Sequence, residues 1–248
     1  MADSLPSAGP YAGLGRIGLI CPSTNTSIEP EFHRMAPEGL AIHVARAFQD
    51  GPQAPALYRQ IAENVEGAAR DLGSAGVDAI AFGCTSCTYF FPGDVLSEAM
   101  TRMTGAPAVL TSDAVVEGLR ALDARRIALA TPRTDFVNRR ETEWLTERGF
   151  DVVSVEGLGL GKTASERAGI GRVPLETTHE LARRVDRPEA DAVFVSCTNL
   201  PSLDLIEDLE AELGKPVVTS NQATFWRCLR AMGSTMTVAG YGRLLARH

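Results

Sequence analysis

Asp78-Ala79-Ile80-Ala81-Phe82-Gly83-Cys84-Thr85-Ser86 and Asp191-Ala192-Val193-Phe194-Val195-Ser196-Cys197-Thr198-Asn199 are two versions of one phrase. Each is an apolar run ending in Cys-Thr and a small polar residue. The echo extends outward in the same order. Arg16-Ile17-Gly18-Leu19-Ile20-Cys21-Pro22 parallels Arg126-Ile127-Ala128-Leu129-Ala130-Thr131-Pro132, and Pro107-Ala108-Val109-Leu110-Thr111-Ser112 parallels Pro216-Val217-Val218-Thr219-Ser220. Three segments recurring at a spacing of about 110 residues identify a duplicated unit. Two related halves facing one another would bring Cys84 and Cys197 to one cleft.

The apolar runs are short, β-branched and bounded by turn residues. Residues 16–21, 41–45, 79–82, 106–110, 126–130, 152–155, 192–195 and 216–218 read as strands. Their apolar character is continuous rather than alternating, which suits parallel strands covered on both faces. Helical periodicity occupies residues 56–72, 112–122, 135–148, 175–185, 203–213 and 222–232. Strand–helix alternation predicts an α/β fold: two pseudo-symmetric, doubly wound parallel-sheet halves with the active site in the cleft between them. The expected division is a disordered N-terminal segment (1–13), a first half (14–118) and a second half (119–248). The C-terminal tail is expected to pack on the first half.

Composition bounds the function. The net charge of −7 argues against non-specific nucleic-acid binding, which needs a basic surface. No apolar run reaches the ~18 residues of a membrane span. The five cysteines are an odd number in a chain of 248 residues, and no secretory apolar region opens it, so a reducing cytoplasm is expected rather than a disulfide framework.

In open α/β sheets, ligands bind beyond the carboxyl ends of the strands. The notable polar residues fall there: Ser23, Thr24 and Asn25; Cys84, Thr85 and Ser86; Arg133; Cys197, Thr198 and Asn199. Strand-end backbone amides with Thr and Ser hydroxyls form anion nests, which suit a small dicarboxylate or the negative charge developing beside a carboxylate. A thiol whose pKa is lowered there serves as nucleophile or proton carrier. A single strand-end cysteine is as readily a small core residue. Two at equivalent positions of a repeat, each followed by Thr, argue for chemistry.

Other patterns carry less. Cys84 and Cys87 form a C-x-x-C, but no second pair or nearby histidine completes a zinc or redox motif. Gly157 to Thr163 imitates a phosphate loop, yet Glu156 stands where that pattern needs its first glycine. A flexible glycine-rich lid over the cleft is expected there, with Arg167 and Arg172 downstream in it as carboxylate ligands. Histidines are few and none sits at a strand end beside an acid and a nucleophile, which disfavours a hydrolase triad. No metal-ligand cluster or dinucleotide fingerprint appears, so neither metal nor cofactor is expected.

Pro22-Ser23-Thr24-Asn25 with Glu29, Val195-Ser196-Cys197 with Pro201-Ser202-Leu203, Gly118-Leu119-Arg120-Ala121-Leu122 and Gly240-Tyr241-Gly242-Arg243-Leu244 resemble segments of the aspartate/glutamate racemase superfamily, within its maleate isomerase and arylmalonate decarboxylase branch. Cys84-Thr85-Ser86 resembles the decarboxylases' Gly-Thr-Ser, with cysteine in the glycine's place. The resemblance implies a cofactor-independent cis–trans isomerase of a maleate-like dicarboxylate, working as a homo-oligomer. It implies Cys84 as nucleophile, Cys197 as proton carrier, Asn25 as a carboxylate ligand, and Thr85 and Ser86 in oxyanion nests. A two-base racemase, an arylmalonate-type decarboxylase and a non-catalytic diacid-binding module remain alternatives. Two positions depart from the branch. Arg133 follows Thr131-Pro132 where a carboxylate-binding Tyr is usual, and Arg167 stands in the lid in place of an Asn. Both point to a related diacid rather than to maleate itself.

Overall fold

The computed structural model describes residues 11–248. Residues 1–10, most of the segment expected to be disordered, lie outside the described residues. The chain forms β1 (Gly15–Pro22), α1 (Ile28–Met35), β2 (Leu40–Ala47), α2 (Pro55–Ser74), β3 (Ala79–Phe82), α3 (Cys87–Phe90), α4 (Gly93–Thr104), β4 (Ala108–Leu110) and α5 (Thr111–Ala121). It continues through β5 (Arg126–Arg133), α6 (Asp135–Thr146), β6 (Asp151–Leu160), α7 (Ala164–Gly169), α8 (Leu175–Val185), β7 (Ala192–Val195), α9 (Ile206–Leu213), β8 (Val217–Thr219), α10 (Ser220–Ala231) and α11 (Gly242–Arg247).

The strands build two four-stranded parallel sheets with the same topology, β2-β1-β3-β4 and β6-β5-β7-β8. The duplication holds at the level of register: Ile17 pairs with Ala79 as Ile127 pairs with Ala192, and Leu19 with Ala81 as Leu129 with Phe194. Both faces of each sheet are covered, which is why the strands read as continuous apolar runs. Ile20, Ile80 and Phe82 pack against Leu57, Ile61 and Val65 of α2 and Leu96 and Met100 of α4. The opposite face, with Leu19, Ala81 and Val109, continues into the core of the second sheet. Past α10 the chain packs back on earlier elements: Tyr241 Oη donates to the Arg34 carbonyl at 2.7 Å, and Leu244 lies close against Gly118 of α5.

The structure departs from the sequence expectation at β6 and in the short helices α1, α3, α4, α7 and α11, which lie outside the expected helical stretches. Residues 157–160, expected as a loop, extend β6, with Leu160 paired to Arg133. Gly157 fits because a Cβ there would sit 2.6 Å from the Arg133 carbonyl oxygen, so the glycine serves close strand approach rather than flexibility. The covering segment therefore begins at Gly161 and contains α7. Helix α1 is only eight residues long, though it buries Ile28, Phe32 and Met35 at helical spacing, and α4 buries only Leu96 and Met100, so its periodicity is faint in the sequence.

Glu31 of α1 ties the first sheet's unit to the second. Its buried carboxylate accepts from the amides of Ser202 (3.0 Å) and Leu203 (3.2 Å) and from Asn221 Nδ2 (2.7 Å). Removing it strands three buried donors. Glu31→Ala is expected to lower unfolding free energy by about 3 kcal/mol. Urea denaturation checks this as a lower midpoint with unchanged slope.

Candidate active site

Cys84 and Cys197 sit just beyond the carboxyl ends of β3 and β7, the equivalent central strands, and both line one cavity. Local sequence fixes each differently. Gly83 lets the β3 end lie against α1, since a Cβ would approach Ile28 Cδ1 to 2.6 Å. In the second half Ser196 occupies the equivalent place, and Cys197 adopts φ = 111°, a conformation that costs a non-glycine residue about 1–3 kcal/mol. Its amide is held by Ser220 Oγ at 3.0 Å.

Cross-links between the halves surround the thiols. Thr85 Oγ1 donates to Ser220 Oγ at 3.0 Å. Thr198 Oγ1 donates to the Gly83 carbonyl at 2.9 Å and accepts from Asn25 Nδ2 at 3.0 Å. Asn25 Oδ1 accepts from the amides of Ser27 and Ile28 at the start of α1. Asn199 Oδ1 accepts from the Thr26 amide at 2.9 Å. These side chains are thus largely committed to holding the halves together. Asn25 keeps one amide hydrogen for a ligand.

The cavity measures about 50 Å³ and is closed on one side by the segment after β6. Of the residues expected from the sequence, Asn25, Cys84, Thr85, Ser86, Arg133, Arg167, Cys197, Thr198 and Asn199 line it. Ser23 does not: its Oγ accepts from the Gln49 amide at 3.1 Å, and Thr24 lines the cavity instead. Arg172 is exposed and also lies outside the lining. Sequence reasoning did not single out Gln49, Gln53, Leu57, Tyr58 and Ile61, which form a further wall. The last three belong to the buried stripe of α2, where helical periodicity reads simply as core.

Two guanidinium groups reach the cavity. Arg167 of α7 donates from Nε to the Gly51 carbonyl and from Nη1 to Thr24 Oγ1, both at 2.8 Å, which seats the covering segment on the first half. Arg133 ends β5 and is 2% exposed. Its Nη1 donates to Glu141 Oε2 and to Ser196 Oγ, each at 2.9 Å. Glu141 Oε1 accepts from Tyr89 Oη and Ser196 Oγ. Burial alone would weaken the Arg133 charge, but the Cys197, Glu141, Tyr89 and Tyr58 groups around it overcompensate and hold it protonated.

The thiols differ. The Cys87 thiol donates to the Tyr58 carbonyl at 3.4 Å, and by turning to the adjacent Cys84 sulfur it lowers that group's pKa; burial opposes this, and Arg133 with the Cys87 amide reinforces it, leaving Cys84 at about 7. Burial dominates at Cys197 and pushes it up, against the pull of Arg133 and the Asn199 amide. Near neutrality the site therefore holds a thiol about half ionised opposite a protonated one. Among the described residues no group of three His, Cys, Asp or Glu side chains could hold a metal, and no helix is long and apolar enough to cross a membrane.

The arylmalonate decarboxylase family model matches residues 17–245. Arylmalonate decarboxylase of Bordetella bronchiseptica is 34% identical over 92% of this chain and 95% of its own. Maleate isomerase of Nocardia farcinica is 29% identical over 94% and 96%. The solved structure of a cysteine-to-serine mutant of the Nocardia farcinica maleate cis–trans isomerase, which contains a covalently bound succinylcysteine intermediate, superposes with a TM-score of 0.86 at 28% identity, covering 94% of this chain and 99% of that one.

The ionisation difference is directly measurable. Iodoacetamide alkylation, followed by peptide mass spectrometry across pH, is expected to titrate Cys84 near pH 7 and Cys197 only above the ordinary thiol range. Coincident titration curves would contradict the asymmetry.

Proposed function

The chain belongs to the arylmalonate decarboxylase family, and within it we propose that it is a cofactor-independent cis–trans isomerase of a small unsaturated dicarboxylate. The observation that carries this reading is the pair of unlike thiols facing one cavity from equivalent strand ends.

The Cys84 thiolate adds to one carbon of the double bond. The electron pair moves to the other carbon and into its carboxylate as an enediolate, and the Cys197 thiol delivers a proton there. The former double bond is now single and rotates. Cys197, now a thiolate, removes the proton; the double bond reforms in the trans geometry and Cys84 leaves as thiolate. The addition needs Cys84 ionised and Cys197 protonated at its start, and the elimination restores that state. Atoms and electrons return to their initial count, so no external oxidant or cofactor enters. Asn25, Asn199 and the strand-end amides supply donors to the developing charge, and Arg133 and Arg167 supply positive charge for the carboxylates. The relative bearing a succinylcysteine supports the covalent step.

Decarboxylation of a malonate is the second reading, favoured by the 34% identity to a decarboxylase. The second thiol weighs against it: loss of carbon dioxide followed by protonation needs one proton donor, and Cys84 on the opposite side of the cavity has no part in that reaction.

Proton NMR in deuterated buffer separates these outcomes. Within a panel of cis-unsaturated diacids that includes maleate and citraconate, at least one is expected to give its trans isomer, with the rate falling at least about a thousandfold in Cys84→Ala. Conversion of phenylmalonate to phenylacetate with that panel untouched would establish the decarboxylase instead.

A further inference from the structure

Glu141 lies behind the cavity wall rather than in it, and it is fully buried. It meets Arg133 at one end only. Nη1 is taken by Glu141 and by Ser196, while Nε is buried with no partner in the protein. A guanidinium offers Nε and Nη2 along one edge, and that edge matches the two oxygens of a carboxylate. An unpaired buried Nε–H is costly unless a ligand satisfies it. Arg133 itself lines the cavity.

The geometry points to Glu141 as a positioning residue: by occupying Nη1 it leaves the Nε–Nη2 edge of Arg133 as a bidentate clamp for one carboxylate of a dianionic substrate. This rests on the diacid reading above and deepens it. A tyrosine at position 133, usual in the resembling branch, offers one hydroxyl and accepts an acid, an amide or an ester almost alike. A clamped guanidinium distinguishes them, because only a carboxylate presents two anionic acceptors. Ser196 belongs to the same device. Its hydroxyl bridges Glu141 Oε1 (2.5 Å) and Arg133 Nη1, so the strand end that carries Cys197 also fixes the clamp. The second sheet's unit thereby couples substrate charge to the position of its own thiol. The first half has no counterpart: Gly83 stands where Ser196 does, and it has no side chain to take part.

The test compares binding of succinate and succinamate, two unreactive four-carbon ligands of nearly the same shape, by titration calorimetry on the full chain. Because neither turns over, the result stands apart from whether maleate is isomerised. The wild-type protein is expected to favour succinate by about tenfold or more, the worth of one charge-assisted paired contact. Glu141→Asp keeps the charge but withdraws the anchor by one methylene. It is expected to lose most of that preference, with succinamate affinity within about twofold of wild type. Arg133→Lys keeps the charge without the fork and is expected to lose it similarly. A generally loosened site would weaken both ligands together. Should Glu141→Asp not fold, Ser196→Ala, which removes the second Nη1 partner, is expected to cut the preference about threefold. Wild-type protein that does not discriminate, or either principal variant that keeps the wild-type ratio, overturns the assignment.

Discussion

The site depends on one constraint: two sheets that end in polar turns are pressed together, and many of the buried polar groups in the contact find their partners across it. Thr85 reaches Ser220, Thr198 reaches Gly83 and Asn25, Asn199 reaches Thr26, and Glu31 reaches Ser202 and Asn221. None of these bonds can form within one half alone. They fix how far apart the two strand ends stand, and therefore how Cys84 and Cys197 share a cavity. The residues that hold the halves together are largely the residues that line the site, so binding geometry and interdomain packing are one problem here.

Duplication supplies two thiols, and local differences make them unlike. Cys84 follows a glycine and lies beside Cys87, whose thiol supports its ionised form. Cys197 follows a serine, carries a strained backbone and is dominated by desolvation. Arg133 acts on both thiols, but Glu141 offsets its charge and raises Cys197. A symmetric pair would offer two nucleophiles or two acids. The asymmetric pair offers one of each, which is what addition followed by proton delivery requires.

Much of this was legible in the sequence because it lies in repeated strand phrases. The matched Cys-Thr segments marked the equivalent central strands of two parallel sheets and the six strand-end residues Cys84, Thr85, Ser86, Cys197, Thr198 and Asn199 that line the cavity. What escaped was carried by elements whose meaning is tertiary. Tyr58 and Ile61 look like an ordinary helical core stripe, and only the placement of α2 turns them to the cavity. Glu141 sits in an amphipathic helix among other charges and reads as a solvated acid, whereas Arg133 holds it buried. Ser23 and Thr24 are adjacent and chemically alike, and the backbone course after β1, not residue type, decides that Thr24 faces the site. Gly157 suggests flexibility but permits the close approach of β6 to Arg133.

The central claim is that Cys84 bonds to the substrate while Cys197 manages its proton. Intact mass and peptide mapping of the Cys197→Ser protein after incubation with maleate test it most directly. The account predicts a stable gain of one maleic acid, located on the peptide bearing Cys84, because water can protonate the adduct slowly, whereas removing that carbon-bound proton needs the Cys197 thiolate. A folded variant that gains no mass, or gains it only on another cysteine, would contradict it.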